Sequence, residues 1–142
     1  MYSRILVPLE NSPADETVLA HVRELARRLG SSLVLLHVAD GWVARNIKEL
    51  DLRESEEMRE DRAYLEDVSA RLAQQGLDVD AVLAAGEPAK EIAAAAEREG
   101  CDLIAMATHG HRLLEDVMRG STATALRHAT KIPVLMVRAE KT

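Results

Sequence analysis

Residues 102–127 read DLIAMATHGHRLLEDVMRGSTATALR, and how this stretch divides decides the fold. Leu103, Ile104, Ala105 and Met106 make an apolar run without a charge, the pattern of a strand covered on both faces in a parallel sheet. The run stops at Thr108, His109 and Gly110, a small, polar, turn-forming cluster. Nine residues later Gly120 precedes Ser121 and Thr122, either of which suits the N-cap of the helical pattern that follows. A buried strand ending in a glycine turn, joined to a glycine at a helix N-terminus, suits an anion. The first helical turn presents unpaired N–H groups and the positive end of the helix dipole. Glycine lets those amides approach a phosphate. Ordinary strand–loop–helix connections also carry such glycines, so spacing alone leaves both readings open.

Outward from this stretch the chain alternates. Arg4–Leu9 (RILVPL) reads as a buried strand, and Glu10, Asn11, Ser12 and Pro13 break it. Ser12 is the expected N-cap, with Pro13 at the first helical position and Asp15 three residues on, close to a capping box. Val18, Leu19, Val22, Leu25 and Ala26 form the helix stripe, and Gly30 closes it. Ser32–Val38 is the second strand, with His37 read as a packed, hydrogen-bonded strand-end residue. Residues 40–49 show no clear pattern, and Trp42 there reads as packing on a neighbour. Leu52–Gln75 reads as a long helix with a narrow apolar face of Met58, Leu65, Val68 and Leu72. Its charges, Glu60 and Asp61 among them, read as a solvated face. Val79–Ala85 reads as a strand at a sheet edge, Gly86, Glu87 and Pro88 as a turn, and Ala89–Glu99 as a helix. A helix over Ser121–Thr130 and a strand over Val134–Val137 complete the pattern. Five strands and four helices in strict alternation predict an α/β fold, a doubly wound parallel sheet with right-handed crossovers. Ligands of such sheets lie beyond the carboxyl ends of the strands, at the switch point. The turns richest in site-like residues follow the first and fourth strands.

Composition narrows the function. A length of 142 residues favours one domain, spanning 1–142. Net charge of -6, without a basic run, argues against a nucleic-acid partner. With no Phe, one Trp and two Tyr, base-stacking platforms are not expected either. Cys101 is the only cysteine, which excludes an intrachain disulfide, suits a reducing compartment and reads as structural. No apolar run approaches the roughly 18 residues of a membrane span, and the N-terminus reaches an acid too soon for a signal peptide. The expected location is the cytoplasm.

Ala107-Thr108-His109-Gly110, nine residues, then Gly120-Ser121 resembles the nucleotide-binding signature of the universal stress protein family. That signature is Gly, two residues, Gly, nine residues, Gly, then Ser or Thr. The segments RILVPLENS, LLHVAD, GEPAKEI, CDLIAMATHG and IPVLMV also resemble family segments in family order, so the resemblance covers essentially the whole chain. It implies a Rossmann-like, adenine nucleotide alpha hydrolase-like domain with strand order 3-2-1-4-5, which makes the first and fourth strands neighbours. It implies that Pro8, Glu10 and Val38 hold an adenosine. It implies that Ala107, Thr108, His109, Gly110, His111, Arg112, Gly120, Ser121 and Thr122 hold the ribose and phosphates. Glu10 would accept from the nucleoside or position a magnesium ion with the phosphates. Three positions depart from the family: Glu10 stands for Asp, Asn11 for Gly, and Ala107 for the first signature Gly.

The expected function is thus a regulatory ATP-binding protein of the stress response. An enzyme finds little support: there is no Gly-Lys-Ser/Thr phosphate loop and no set of kinase motifs, so no residue is assigned as catalytic and none as a dedicated metal ligand. Slow ATP hydrolysis, with His109 or Glu10 as base, is one alternative. A dimeric interaction protein that has lost the nucleotide is another, and Ala107 is its best support. The last strand, Val134 to Val137, is apolar on both faces and little guarded by charge, which predicts a homodimer through it if it lies at an edge. A protein partner is expected, its identity unspecified.

Overall fold

The computed structural model of the protein describes residues 1–39, 51–108 and 121–139. Its strands are β1 Arg4–Pro8, β2 Ser32–Ala39, β3 Val79–Ala85, β4 Leu103–Thr108 and β5 Val134–Arg138. All adjacent strands run parallel, in the order β3-β2-β1-β4-β5. The helices among the described residues are α1 Ala14–Leu29, α2 Asp51–Gln74, α3 Pro88–Arg98 and α4 Ser121–Ala129. The doubly wound sheet expected from the alternation and the strand order implied by the family resemblance are therefore both present. β3 and β5 are its edges.

Strand alternation sorts the core into two layers. Ile5, Val7 and Leu9 of the β1 segment, Leu33 and Leu35 of β2, and Leu103 and Ala105 of β4 pack with Val18, Val22 and Ala26 of α1 and Leu65, Val68 and Leu72 of α2. Leu6, Val34, Leu36 and Ile104 point the other way, onto Ile92, Ala95 and Ala96 of α3 and Leu126 of α4. Both faces of the central strands are covered, which explains their unbroken apolar runs. Each buried leucine or isoleucine contributes about 1.5–3 kcal/mol. A one-residue slip would exchange the layers, so the register is firmly set.

Helix ends differ from the sequence reading in one instructive place. α1 begins at Ala14 with Pro13 as its N-cap and no side-chain capping bond, one residue later than expected. The Ser12 hydroxyl donates instead to the Glu10 carboxylate at 2.5 Å. Half of the capping box survives, because Asp15 accepts the Ser12 N–H at 3.3 Å. At the other end Gly30 sits at φ 72 and donates to the Ala26 carbonyl, the left-handed close predicted for it. α3 starts one residue before the predicted Ala89, with Glu87 as an N-cap that accepts the Lys90 N–H and Pro88 in the first turn.

The amino ends of the strands are held by charge. Asp102 accepts the N–H groups of Ser3 and Arg4 at 3.0 and 3.1 Å and donates its own N–H to the Arg4 carbonyl. Arg4 pairs with Asp80 at 2.9 Å and donates to the Glu99 carbonyl at 2.8 Å. Cys101 is buried beside this cluster, and burial pushes its thiol up to about 11, which keeps it neutral and inert as the sequence reading expects. Among the described residues no helix is long and apolar enough to cross a membrane.

Candidate functional site

The sheet opens at one seam. β1 pairs with β2 over its whole length, from Arg4 opposite Ser32 to Pro8 opposite Leu36. It pairs with β4 only at Ile5 opposite Leu103 and Leu6 opposite Ile104. The Leu9 N–H donates to the Leu36 carbonyl, and the Arg4 carbonyl accepts from Asp102 on the other side. Alternation therefore turns the polar groups of Arg4, Leu6 and Pro8 toward β4. Pro8 has no N–H to give, so the ladder to β4 cannot continue there. The result is a notch between β1 and β4 beyond their paired rungs. It lies at the carboxyl ends of the strands, where the strand order reverses direction, the place where open α/β sheets take ligands.

Several residues singled out in the sequence border this notch. Pro8 ends β1, and exposed Glu10 follows in the turn to α1. Val38, near the end of β2, and Met106 of β4 pack on the α3–α4 side of the sheet. Pro8 shares that side by alternation with Leu6. Met106 was read in the sequence only as part of the apolar run; its two-residue spacing from Ile104 is what puts it on this side. Ala107 and Thr108 end β4, paired with Val137 and Arg138. Ser121 opens α4, and Thr122 is half-buried in its first turn. His109, Gly110, His111, Arg112 and Gly120 lie outside the described residues, as do Trp42 and the connection from residue 40 to 50.

Two of the three departures from the family pattern are now accounted for. Asn11 takes φ 63, the left-handed conformation in which Gly is usual and Asn is the best-tolerated substitute. Ala107 lies in an extended strand, and among the described residues positive φ without glycine is confined to Tyr2 and Asn11. Its backbone therefore needs no glycine. Glu10 keeps a carboxylate, held toward Ser12 by the hydroxyl bond.

The turn rests on Asp15, read in the sequence only as part of a capping box, and on Tyr64, which the sequence reading did not single out. Asp15 is 1% exposed and accepts the N–H groups of Glu10 at 3.0 Å, Asn11 at 2.8 Å and Ser12 at 3.3 Å. It also accepts from the Tyr64 hydroxyl of α2 at 2.5 Å. Burial first, then the bond to Asp15, pushes the Tyr64 hydroxyl well up, so it remains the donor. Tyr64 is the only aromatic residue of α2, which was the one sequence hint of a special role. Asp61 corrects the reading of a purely solvated face: it turns inward, 3.2 Å from His37 Nε2. His37 itself is the hydrogen-bonded strand-end residue expected, its Nδ1 2.9 Å from the Leu9 carbonyl.

Chemically, the border offers an exposed carboxylate beside a hydroxyl and apolar side chains on one side of the opening. Among the described residues no group of three His, Cys, Asp or Glu side chains is placed to hold a metal ion.

Comparison with known proteins places this arrangement. The Universal stress protein family matches residues 1–138. The universal stress protein MJ0577 of Methanocaldococcus jannaschii is 29% identical, over 97% of this chain and 96% of its own. Its solved structure covers 100% of this chain and 99% of its own with a TM-score of 0.83. Universal stress protein YxiE of Bacillus subtilis is 28% identical over 97% of this chain and 100% of its own. A universal stress protein from Archaeoglobus fulgidus, solved in complex with dAMP, shares the fold at a TM-score of 0.67 and 22% identity, covering 96% of this chain and 98% of its own. The family match runs from before β1 to the last residue of β5, so the notch and every strand that borders it fall inside it, and the chain belongs to the universal stress protein family.

Proposed function

We propose that this protein binds an adenine nucleotide, ATP, in the notch between β1 and β4, and that the bound nucleotide regulates its choice of partner in a stress response. The observation that carries the reading is the early end of the β1–β4 ladder at Pro8, beside a turn that presents Glu10. The adenosine would lie against Pro8 and Val38, with Glu10 accepting from the nucleoside or positioning a magnesium ion with the phosphates. Ala107 to Arg112, Gly120, Ser121 and Thr122 would hold the ribose and phosphates, through backbone amides and the Ser121 hydroxyl. The dAMP complex of a protein with this fold supports an adenine nucleotide as the class.

A regulatory role is favoured over dedicated turnover. The sequence holds no Gly-Lys-Ser/Thr phosphate loop, and no residue is assigned to activate an attacking water. We further propose a homodimer through the outer edge of β5, where Met136 is exposed and, among the described residues, no further strand pairs. A cytoplasmic location accompanies this reading.

Thermal unfolding of nucleotide-stripped protein tests the binding. ATP at about a hundred times its Kd adds roughly 2.7 kcal/mol, which for a domain of this size raises Tm by roughly 5–10 °C. An unchanged Tm in millimolar ATP and magnesium would overturn the reading and favour an interaction protein without a nucleotide.

A further inference from the structure

One turn of α2 reaches both the end of β2 and the turn that follows β1. Asp61 and Tyr64 are three residues apart and share a helix face. Asp61 Oδ2 lies 3.2 Å from His37 Nε2, and His37 Nδ1 lies 2.9 Å from the Leu9 carbonyl. That carbonyl and the Asp61 carboxylate both only accept, so each contact needs a hydrogen on the ring nitrogen that faces it. Asp61 thus fixes, through the ring of β2's His37, the residue that leads directly into Glu10. Tyr64 donates to Asp15, whose carboxylate gathers the consecutive N–H groups of Glu10, Asn11 and Ser12. A carboxylate this buried is stable only with its oxygens bonded, and bonds to a charged acceptor are the stronger kind. Asp15 therefore holds Asn11 in its left-handed conformation and sets the path of the backbone that carries Glu10.

From this geometry we infer that the Asp61–Tyr64 turn of α2, acting through His37 and Asp15, is the positioning element for the adenosine end of the notch; the inference rests on the nucleotide reading above. The four side chains act through the turn and the strand ends, not on the ligand.

Tyr64→Phe in the full chain tests this, because it keeps the ring and removes one bond to Asp15. Two quantities are read: hydrogen exchange at the amides of Glu10, Asn11 and Ser12 without nucleotide, and calorimetric affinity for ATP and for AMP. The proposal expects faster exchange at Asn11 and Ser12. It also expects Kd to rise by one common factor for both nucleotides, about tenfold, because the phosphates are held by a different part of the chain. Leu72→Ala, in the core near the far end of α2, controls for general loosening. It lowers the unfolding midpoint and leaves both affinities unchanged. A folded Tyr64→Phe protein with wild-type exchange and affinity overturns the proposal, and so does an equal loss of affinity in Leu72→Ala. Failure of the nucleotide reading has its own signature, an absence of binding by the wild type.

Discussion

Asn11 holds a left-handed turn at the mouth of the notch, and its replacement has a calculable cost. For L-residues that conformation costs roughly 1–2 kcal/mol, and only Gly, Asn and Asp visit it routinely. Asn11→Gly is therefore expected to be close to neutral, whereas Asn11→Val loses about 1–2 kcal/mol in urea unfolding, the β-branched side chain being the worst fit. Cys101 gives a second residue-scale prediction. Burial holds the thiol neutral, up to about 11, so the unfolded chain ionises first as pH rises. At pH 8 the native protein should react only slowly with a disulfide reagent, and addition of urea should release the reaction. Rapid labelling of the native protein at pH 8 would contradict that account. At this scale the sequence was partly legible. His37 and Cys101 were read correctly from residue chemistry and local pattern, whereas Asn11 stood out only against the family pattern. Asp61 and Tyr64 were not legible, because their partners, His37 and Asp15, lie far off in the chain and only packing of α2 brings them together.

The elements were legible wherever an apolar period covered them. Among the described residues, each of the five strands and four helices that the pattern placed is found, with ends shifted by a residue or so. The start of α1 was misjudged because Ser12 has two possible partners, and the Glu10 carboxylate won its hydroxyl over the helix amides. The pairing of β1 with β4 carries its own prediction. The two strands share few rungs, and at their amino ends Asp102 clasps Ser3 and Arg4. Burial alone would raise the Asp102 carboxyl, but the amides of Arg4 and Ser3 outweigh it and hold the group below its usual range. A carboxyl lowered by folding stabilises above its ordinary value of about 4, and that contribution is lost as pH falls through the folded value. Asp102→Asn should therefore unfold more readily at pH 6 and show a flatter decline in urea midpoint between pH 5 and pH 3 than the wild type. Parallel declines would show that the acid sensitivity arises elsewhere.

At the scale of the molecule, alternation alone gave the doubly wound class, but the strand order came from family resemblance. Hydrophobic pattern fixes which residues are buried, and nothing in it says on which side of β1 a strand will add. The notch was legible only as a place where two turns would meet if β1 and β4 were neighbours. Its physical cause, the absent N–H of Pro8 on the β4 side, needed the register. The open edge of β5 gives the assembly prediction: light scattering at micromolar concentration should return the mass of a dimer, and Met136→Lys should shift it toward the monomer by placing a charge at the edge. The central claim, that the notch together with the glycine signature of the sequence takes an adenine nucleotide, is tested most directly by isothermal calorimetry of stripped protein with ATP and magnesium, run beside Gly120→Val. The account predicts saturable binding near one nucleotide per chain, abolished in the variant because a side chain at that position blocks the phosphates. A folded wild type that gives no binding heat and no competition against a labelled ATP would contradict it.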